Sequence, residues 1–489
     1  MNIFRRSERR ETAVKTLETP TGINTSPRAA ARLDRIPPTP WLAGIMGLLF
    51  LSWLIESYDI GLTGSVLPSL THQFHLSTGM KSFTSVSANI GIVIGIVPAG
   101  RIADHFGRRK VLIFGTLAYA VLTFAVGLAP NIASILSLRI LDGMAMGAVF
   151  PIPYIYASEI CPRTSRGRFI GWADSCLSVG YFISPLLALV LIPNVENTTG
   201  WRIMFLLGGI PVLFVLLAIR YLPESPRWLE ARGRCAACET ILRGFEARAE
   251  RSIGGPLPPV VPIDNSVVTP AKQNWRDIFR QPLRRRAMTL WVTFGGTFFI
   301  FYSIQTFMPT VITKMGFTLT SAFGFTAVIV GVSIPGKLLE SWIVERWGRK
   351  PVIIGFTVIA AIAAMAFGFV RGAVPVLVLG CLMSFFGIGA DPAVKTYTAE
   401  GYPTEIRGVG VATTEGFGRL MSGVIGPFLI PFVLSNLGVG AVYSLVGSVA
   451  LLAVLVLLVF GRETRGLTLE KSASVEPEVS PSIDPLLAA

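Results

Sequence analysis

Gly100-Arg-Ile-Ala-Asp104-His-Phe-Gly107-Arg108-Arg109-Lys110 returns later in the chain as Ser341-Trp-Ile-Val-Glu345-Arg-Trp-Gly348-Arg349-Lys350. A second pair of segments keeps the same spacing. Glu159-Ile-Cys-Pro-Arg-Thr-Ser-Arg166-Gly167 returns as Glu400-Gly-Tyr-Pro-Thr-Glu-Ile-Arg407-Gly408. In both cases the offset is that of Gly348 minus Gly107, 241 positions. Two independent motifs at one offset mark two parallel repeats.

The repeats sit between apolar runs. Twelve stretches are long enough to cross a bilayer, which takes about 20 mostly apolar residues. They are spans 1–6 at 42–65, 83–102, 111–130, 134–157, 168–192 and 202–222. Spans 7–12 lie at 287–309, 322–343, 351–371, 375–397, 409–434 and 440–460. The 489 residues are 52% hydrophobic and 15% charged, with a mean hydropathy of +0.61. Soluble domains carry about 25% charged residues, so this chain cannot cover itself with a water-facing surface. The fold class is an all-α membrane protein of twelve helices in two parallel six-helix repeats. Parallel repeats place a substrate site between the halves near the midplane.

The net charge of +14 is not a nucleic-acid footprint. Arg108, Arg109, Lys110, Arg163, Arg166, Arg346, Arg349, Lys350 and Arg407 gather in alternate loops. The other loops hold mainly Lys81, Lys314 and Arg371. That asymmetry places both termini in the cytoplasm. The expected organisation is a disordered cytoplasmic tail over 1–41 and a first bundle over 42–222. A cytoplasmic linker over 223–286, a second bundle over 287–460 and a tail over 461–489 follow. Short amphipathic helices are expected at 227–250. Residues 1–40 carry no secretory signal pattern. Five cysteines form no disulfide framework, and Cys235-x-x-Cys238 lacks partners for a metal site. His72, His75 and His105 have no nucleophile constellation around them, so an enzyme is not expected. The expected partners are the lipid bilayer, a small-molecule substrate and protons, with no nucleic acid, metal or cofactor, and the chain is expected to be a monomer in the cell membrane.

The loop motifs, the repeat and the twelve spans resemble the major facilitator superfamily over residues 42–470. Three segments are similar to its sugar-porter branch and to metabolite:proton symporters. They are Pro223-Glu-Ser-Pro-Arg227-Trp-Leu, Arg139-Ile-Leu-Asp-Gly143-Met-Ala-Met-Gly147 and Glu463-Thr-Arg-Gly-Leu-Thr-Leu-Glu470. In the repeated loops Gly100, Asp104, Gly107, Arg108, Glu159 and Arg166, with Glu345, Gly348, Arg349, Glu400 and Arg407, are candidates for a conformational latch. Charge pairs at helix ends can form in one state and break in another. The plainer reading is that the arginines only enforce topology.

An ionisable group in a spanning helix costs roughly 2.5 kcal/mol or more and is functional by default. Glu56, Asp59, Arg139, Asp142, Asp174 and Arg419 stand out, with Asp391 and Glu415 nearer a helix end. Asp59 and Arg139 sit at matching depth, about 8–9 Å below one surface, so they can meet. If movement breaks that pair, the aspartate takes up a proton. Tyr58-Asp59-Ile-Gly-Leu resembles the first-span signature of proton-coupled sugar porters, which implies a proton role for Asp59 and Arg139; Glu56 is grouped with them. A static ion pair is the alternative.

The resemblance does not carry sugar specificity. The span 5 slot for a sugar-binding glutamine falls on Asp174, and the span 7 slots fall on Gly296, Thr297 and Tyr302. Gln305 is the nearest surviving amide. Tyr397-Thr-Ala-Glu400-Gly-Tyr-Pro403-Thr and Phe417-Gly-Arg419-Leu-Met-Ser-Gly-Val-Ile-Gly-Pro427 instead resemble the aromatic-acid and nicotinate type of metabolite:proton symporter. Arg419 falls near the midplane and can hold a carboxylate; Glu415 one turn away is its alternative partner. The candidate substrate residues are Arg419, Asp174, Tyr302 and Gln305, with Phe298, Phe299, Phe301 and Phe307 as stacking candidates. The leading expectation is proton-coupled symport of a small organic anion. A sugar or polyol symporter, a drug-efflux antiporter and a nutrient sensor are the alternatives.

Overall fold

Apolar runs of this length become helices because a helix satisfies its own backbone hydrogen bonds where no water is available. The computed structural model describes residues 29–195, 199–260, 278–279, 283–402 and 406–465, apart from the side chains of 163–171, 173 and 407. The expected tails over 1–28 and 466–489, the centre of the linker and the side chains of Arg166 and Arg407 lie outside the described residues.

The first half contains α1 (Pro40–Phe74), α2 (Thr78–Phe106), α3 (Arg108–Leu128), α4 (Ile132–Ile160), α5 (Arg163–Asn194) and α6 (Gly200–Tyr221). The second contains α7 (Leu283–Lys314), α8 (Leu319–Trp347), α9 (Arg349–Phe367) and α10 (Ala373–Glu400). A last helical stretch, Gly408–Phe460, is broken at Gly438, whose φ is 80°. It supplies α11 before the break and α12 after it, which makes twelve membrane-length helices among the described residues.

Large apolar side chains are exposed on α3 (Phe114, Leu128), α6 (Leu213, Leu216), α9 (Ile362) and α12 (Leu455, Leu458). These four helices form the outer faces that lipid would cover. α1 and α7 are the most buried. The halves meet along three seams: α1 with α7, α2 with α11, and α5 with α8.

Several elements depart from the sequence reading. The tail expected to be disordered to 41 is ordered from Ala29: a short helix, Ala29–Asp34, buries Ala29 and Leu33. Arg32 pairs with Glu239 (2.5 Å) and Glu246 (2.6 Å), and Arg35 with Glu246 (2.7 Å). The short helices expected at 227–250 are present as Pro226–Ala231 and Cys235–Ile253, separated at Gly233 with φ 68°. α4 breaks before Pro151 and α10 breaks before Pro392, because proline cannot donate to the preceding turn. α11 contains a π-helical turn, Leu420–Ile425.

Candidate functional site

The repeated loops build the same turn twice. Gly107 and Gly348 have φ of 98° and 96°, a region that side chains other than glycine rarely adopt. Arg108 bonds Asp104 (2.9 Å) and Glu159 (3.0 Å). Arg349 bonds Glu345 (3.4 Å) and Glu400 (3.1 Å). Glu224 accepts from the Arg109 amide, and Glu463 from the Arg349 and Lys350 amides. Each of these pairs stays within its own half. No crowding or positive φ requires glycine at Gly100.

α1 and α4 bring Asp59 and Arg139 into contact. Arg139 Nη1 also donates to Asp142 (2.7 Å), and Nη2 donates to Thr63 (2.9 Å). Thr123 of α3 touches Asp59 (2.5 Å) and Asp142 (2.9 Å). Asp59, Asp142 and Arg139 are all buried. Glu56 is also fully buried; it accepts from Ser52 at 3.1 Å, and its other oxygen has no partner among the described residues.

Arg419 ends the α-helical part of α11 directly before the π turn, a distortion frequent at functional sites. Its guanidinium lies 4.0 Å above the Phe150 ring, across the boundary between the halves. It donates to the Tyr302 hydroxyl at 3.3 Å, and its Nε has no partner among the described residues. Arg419 is 8% exposed, and no ion pair joins it to Glu415 among the described residues. Glu56 lies within its electrostatic reach from α1. Phe150 faces Arg419 because Pro151 ends the helix there. Around it, Phe301 meets Tyr181 (5.0 Å) and Tyr302 (5.0 Å) edge-on. Phe299 packs on Gly426, where any side chain would collide with the ring, and Tyr302 packs closely on Gly423. Gln305 belongs to the α1–α7 seam: its backbone oxygen would lie 2.0 Å from a Cβ at Gly64. Beyond that contact, toward the end opposite the arginine-rich loops, lies a cavity of about 370 Å³ lined by Pro68, Lys81, Phe307 and Lys314.

Asp174 is held by the second half. Lys337 of α8 donates to it at 2.9 Å, Lys395 of α10 makes a shorter contact, and the Tyr154 hydroxyl donates at 3.3 Å. Lys337 also faces Asp391 at 3.8 Å. The sequence reading passed over Lys337, Glu340 and Lys395. All three fall near the arginine-rich end, where lysines count toward topology. The rule that singled out Asp59 reaches Lys337 and Glu340 equally, and the repeat offset carries Tyr154 onto Lys395 and Asp174 onto Glu415.

A family model described as Major Facilitator Superfamily matches residues 49–422 and 332–483. The niacin transporter NiaP of Acinetobacter baylyi is 31% identical over 90% of this chain and 98% of its own length. A gallate transporter of Pseudomonas putida is 28% identical over 86% of this chain and 92% of its own. Among solved structures, the inward-open xylose transporter XylE from E. coli superposes with a TM-score of 0.70 at 21% identity, over 88% of this chain and 99% of that one. The chain belongs to the Major Facilitator Superfamily. It is a multi-pass membrane transporter and not an enzyme.

Proposed function

We propose that this transporter carries a small aromatic carboxylate together with a proton by alternating access. The observation that carries this reading is Arg419, a buried guanidinium with no carboxylate in ion-pair contact among the described residues, bedded on Phe150 and rimmed by Tyr302. A buried charge is costly unless paired, and a ring-bearing carboxylate supplies both the counter-ion and a face to stack. Niacin and gallate, in the names of the two relatives, are both aromatic rings bearing a carboxylate. Gln305 on the α1–α7 seam and Asp174 on α5 are the further substrate candidates.

Asp59 with Arg139, and Glu56 beside them, form the proton arm. Coupling follows if the proton must bind before the substrate-loaded halves rearrange. The turn networks of Arg108 and Arg349 brace each half as a unit. Asp174 with Lys337 and Lys395 ties the halves at the arginine-rich end, and Gly64 against Gln305 ties them at the other. The charge bias of the loops supports an arginine-rich end facing the cytoplasm, with both termini inside.

In proteoliposomes the protein is expected to accumulate radiolabelled nicotinate or benzoate when the outside is made more acidic, and not glucose. Uptake of glucose without any carboxylate would overturn the substrate reading. Carboxylate uptake that ignores an imposed pH gradient would overturn the proton arm.

A further inference from the structure

Four buried side chains close a ring between α1, α3 and α4. Arg139 Nη1 donates to one oxygen of Asp59 and to one oxygen of Asp142. The remaining oxygens, Asp59 Oδ2 and Asp142 Oδ1, both touch the Thr123 hydroxyl, at 2.5 and 2.9 Å. None of the four is more than 3% exposed.

A threonine hydroxyl has a single proton to give. Two ionised carboxylates would leave one contact with only lone pairs facing each other. The contact becomes a hydrogen bond when that aspartate carries a proton and donates it to the threonine oxygen. Charge gives the same answer. Arg139 against two carboxylates leaves the ring at −1, an unfavourable net charge in a buried site; a single proton brings it to zero. Among the described residues, the other titratable groups facing the ring are Tyr58 of α1 and Tyr119 of α3, with Glu56 next to Tyr119. None is a cation that could balance it.

The ring is not scaffold shared by the repeats. At the offset of 241, Asp59, Thr123, Arg139 and Asp142 land on Ile300, Ala364, Gly380 and Met383. This set of charges belongs to the first half alone.

We propose that the transported proton is held by Asp59 and Asp142 as a pair, shared across Thr123, with Arg139 supplying the fixed positive charge. Asp142 is therefore a second proton-binding residue, and Thr123 positions the proton between the two carboxyls. The step involves no covalent change. A carboxylate takes a proton from the side where the site is open, and the same carboxyl returns it on the other side. This inference rests on the proton-coupled reading above and specifies its carrier.

The charge count decides the test. In Asp142→Asn, Asp59 and Arg139 already balance, so the site no longer needs a proton to reach neutrality. With nicotinate as probe, the variant is expected to lose at least tenfold of the accumulation driven by a pH gradient. It should keep counterflow, which requires no net proton movement, and downhill uptake should become flat between about pH 5.5 and 8, the range around the neutral-pH working point of coupled carboxyls. Thr123→Ser should retain coupling and Thr123→Val should weaken it. A readout without substrate separates this inference from the substrate assignment. The infrared difference spectrum of the purified protein between acidic and alkaline pH should contain a protonated-carboxyl band that disappears in both Asp59→Asn and Asp142→Asn. Wild-type accumulation by Asp142→Asn, or a carboxyl band unchanged in that variant, overturns the pair.

Discussion

Lys337 of α8 reaches across the boundary between the two halves to Asp174 of α5, Nζ to Oδ2 2.9 Å, with side chains only 2% and 6% exposed. The ion pairs of Asp59, Arg108 and Arg349 each stay inside one half, so they move with it. The pair of Asp174 has to break whenever α5 leaves α8. Removing one partner of a buried ion pair costs about 3–5 kcal/mol. Asp174→Lys and Lys337→Asp alone are each expected to lower the melting temperature and abolish uptake. The double swap should recover part of both, and a double swap no better than either single variant would refute a direct pairing.

Arg419 is expected to resist conservative replacement. A lysine keeps the charge but loses the planar fork and the stacking on Phe150. Arg419→Lys should raise the KM for nicotinate by about 10- to 100-fold, corresponding to roughly 1.4–2.7 kcal/mol. Equilibrium binding to purified protein checks this independently of turnover.

Closure at the end opposite the arginine-rich loops depends on Gly64. A Cβ there would sit 2.0 Å from the backbone oxygen of Gln305, and backbone cannot move aside as a flexible side chain can. Gly64→Val is expected to hold α1 off α7, with uptake falling at least tenfold while nicotinate binding persists. Parallel measurement of binding and uptake separates a trapped transporter from an unfolded one.

The turn glycines should be intolerant in both halves. Gly348→Ala forces a side chain into φ 96° and to 2.8 Å from the Glu463 carboxyl carbon. The expected loss is about 1 kcal/mol or more of stability, readable as a lower melting temperature, with a comparable loss for Gly107→Ala.

The strap at Ala29–Asp34 should respond to pH. Burial alone would push the Glu246 carboxyl up, but hydrogen bonds from Arg32 and Arg35 prevail and hold it below the usual glutamate value. Hydrogen bonds from Arg32 and Arg243 hold Glu239 down as well. Depressed carboxylates contribute stability that is present above their unfolded value, about 4.3, and lost as pH falls through the folded values. Amide exchange of residues 29–36, corrected for intrinsic rates, is therefore expected to stay slow near neutrality and to rise as pH drops below about 4. Glu246→Gln should already exchange fast at neutral pH.

The twelve helices, the two repeats and the charge bias of the loops were legible in the sequence, because length, hydropathy and spacing are local properties. The meeting of Asp59 with Arg139 was legible too, since depth along two helices follows from residue counts and a fixed rise. Other features were not. Whether Arg419 pairs with Glu415 on its own helix or faces Phe150 across the boundary depends on how α11 turns at Leu420–Ile425 and where Pro151 stops α4. The lysines around Asp174 come from helices more than 160 positions away, and the contact of Asp142 with Thr123 depends on how α3 packs on α4. Hydropathy and spacing determine that a segment spans and how deep each residue sits. The rotation of each helix about its axis is set by side-chain packing between helices, and that rotation decided which buried charges face one another.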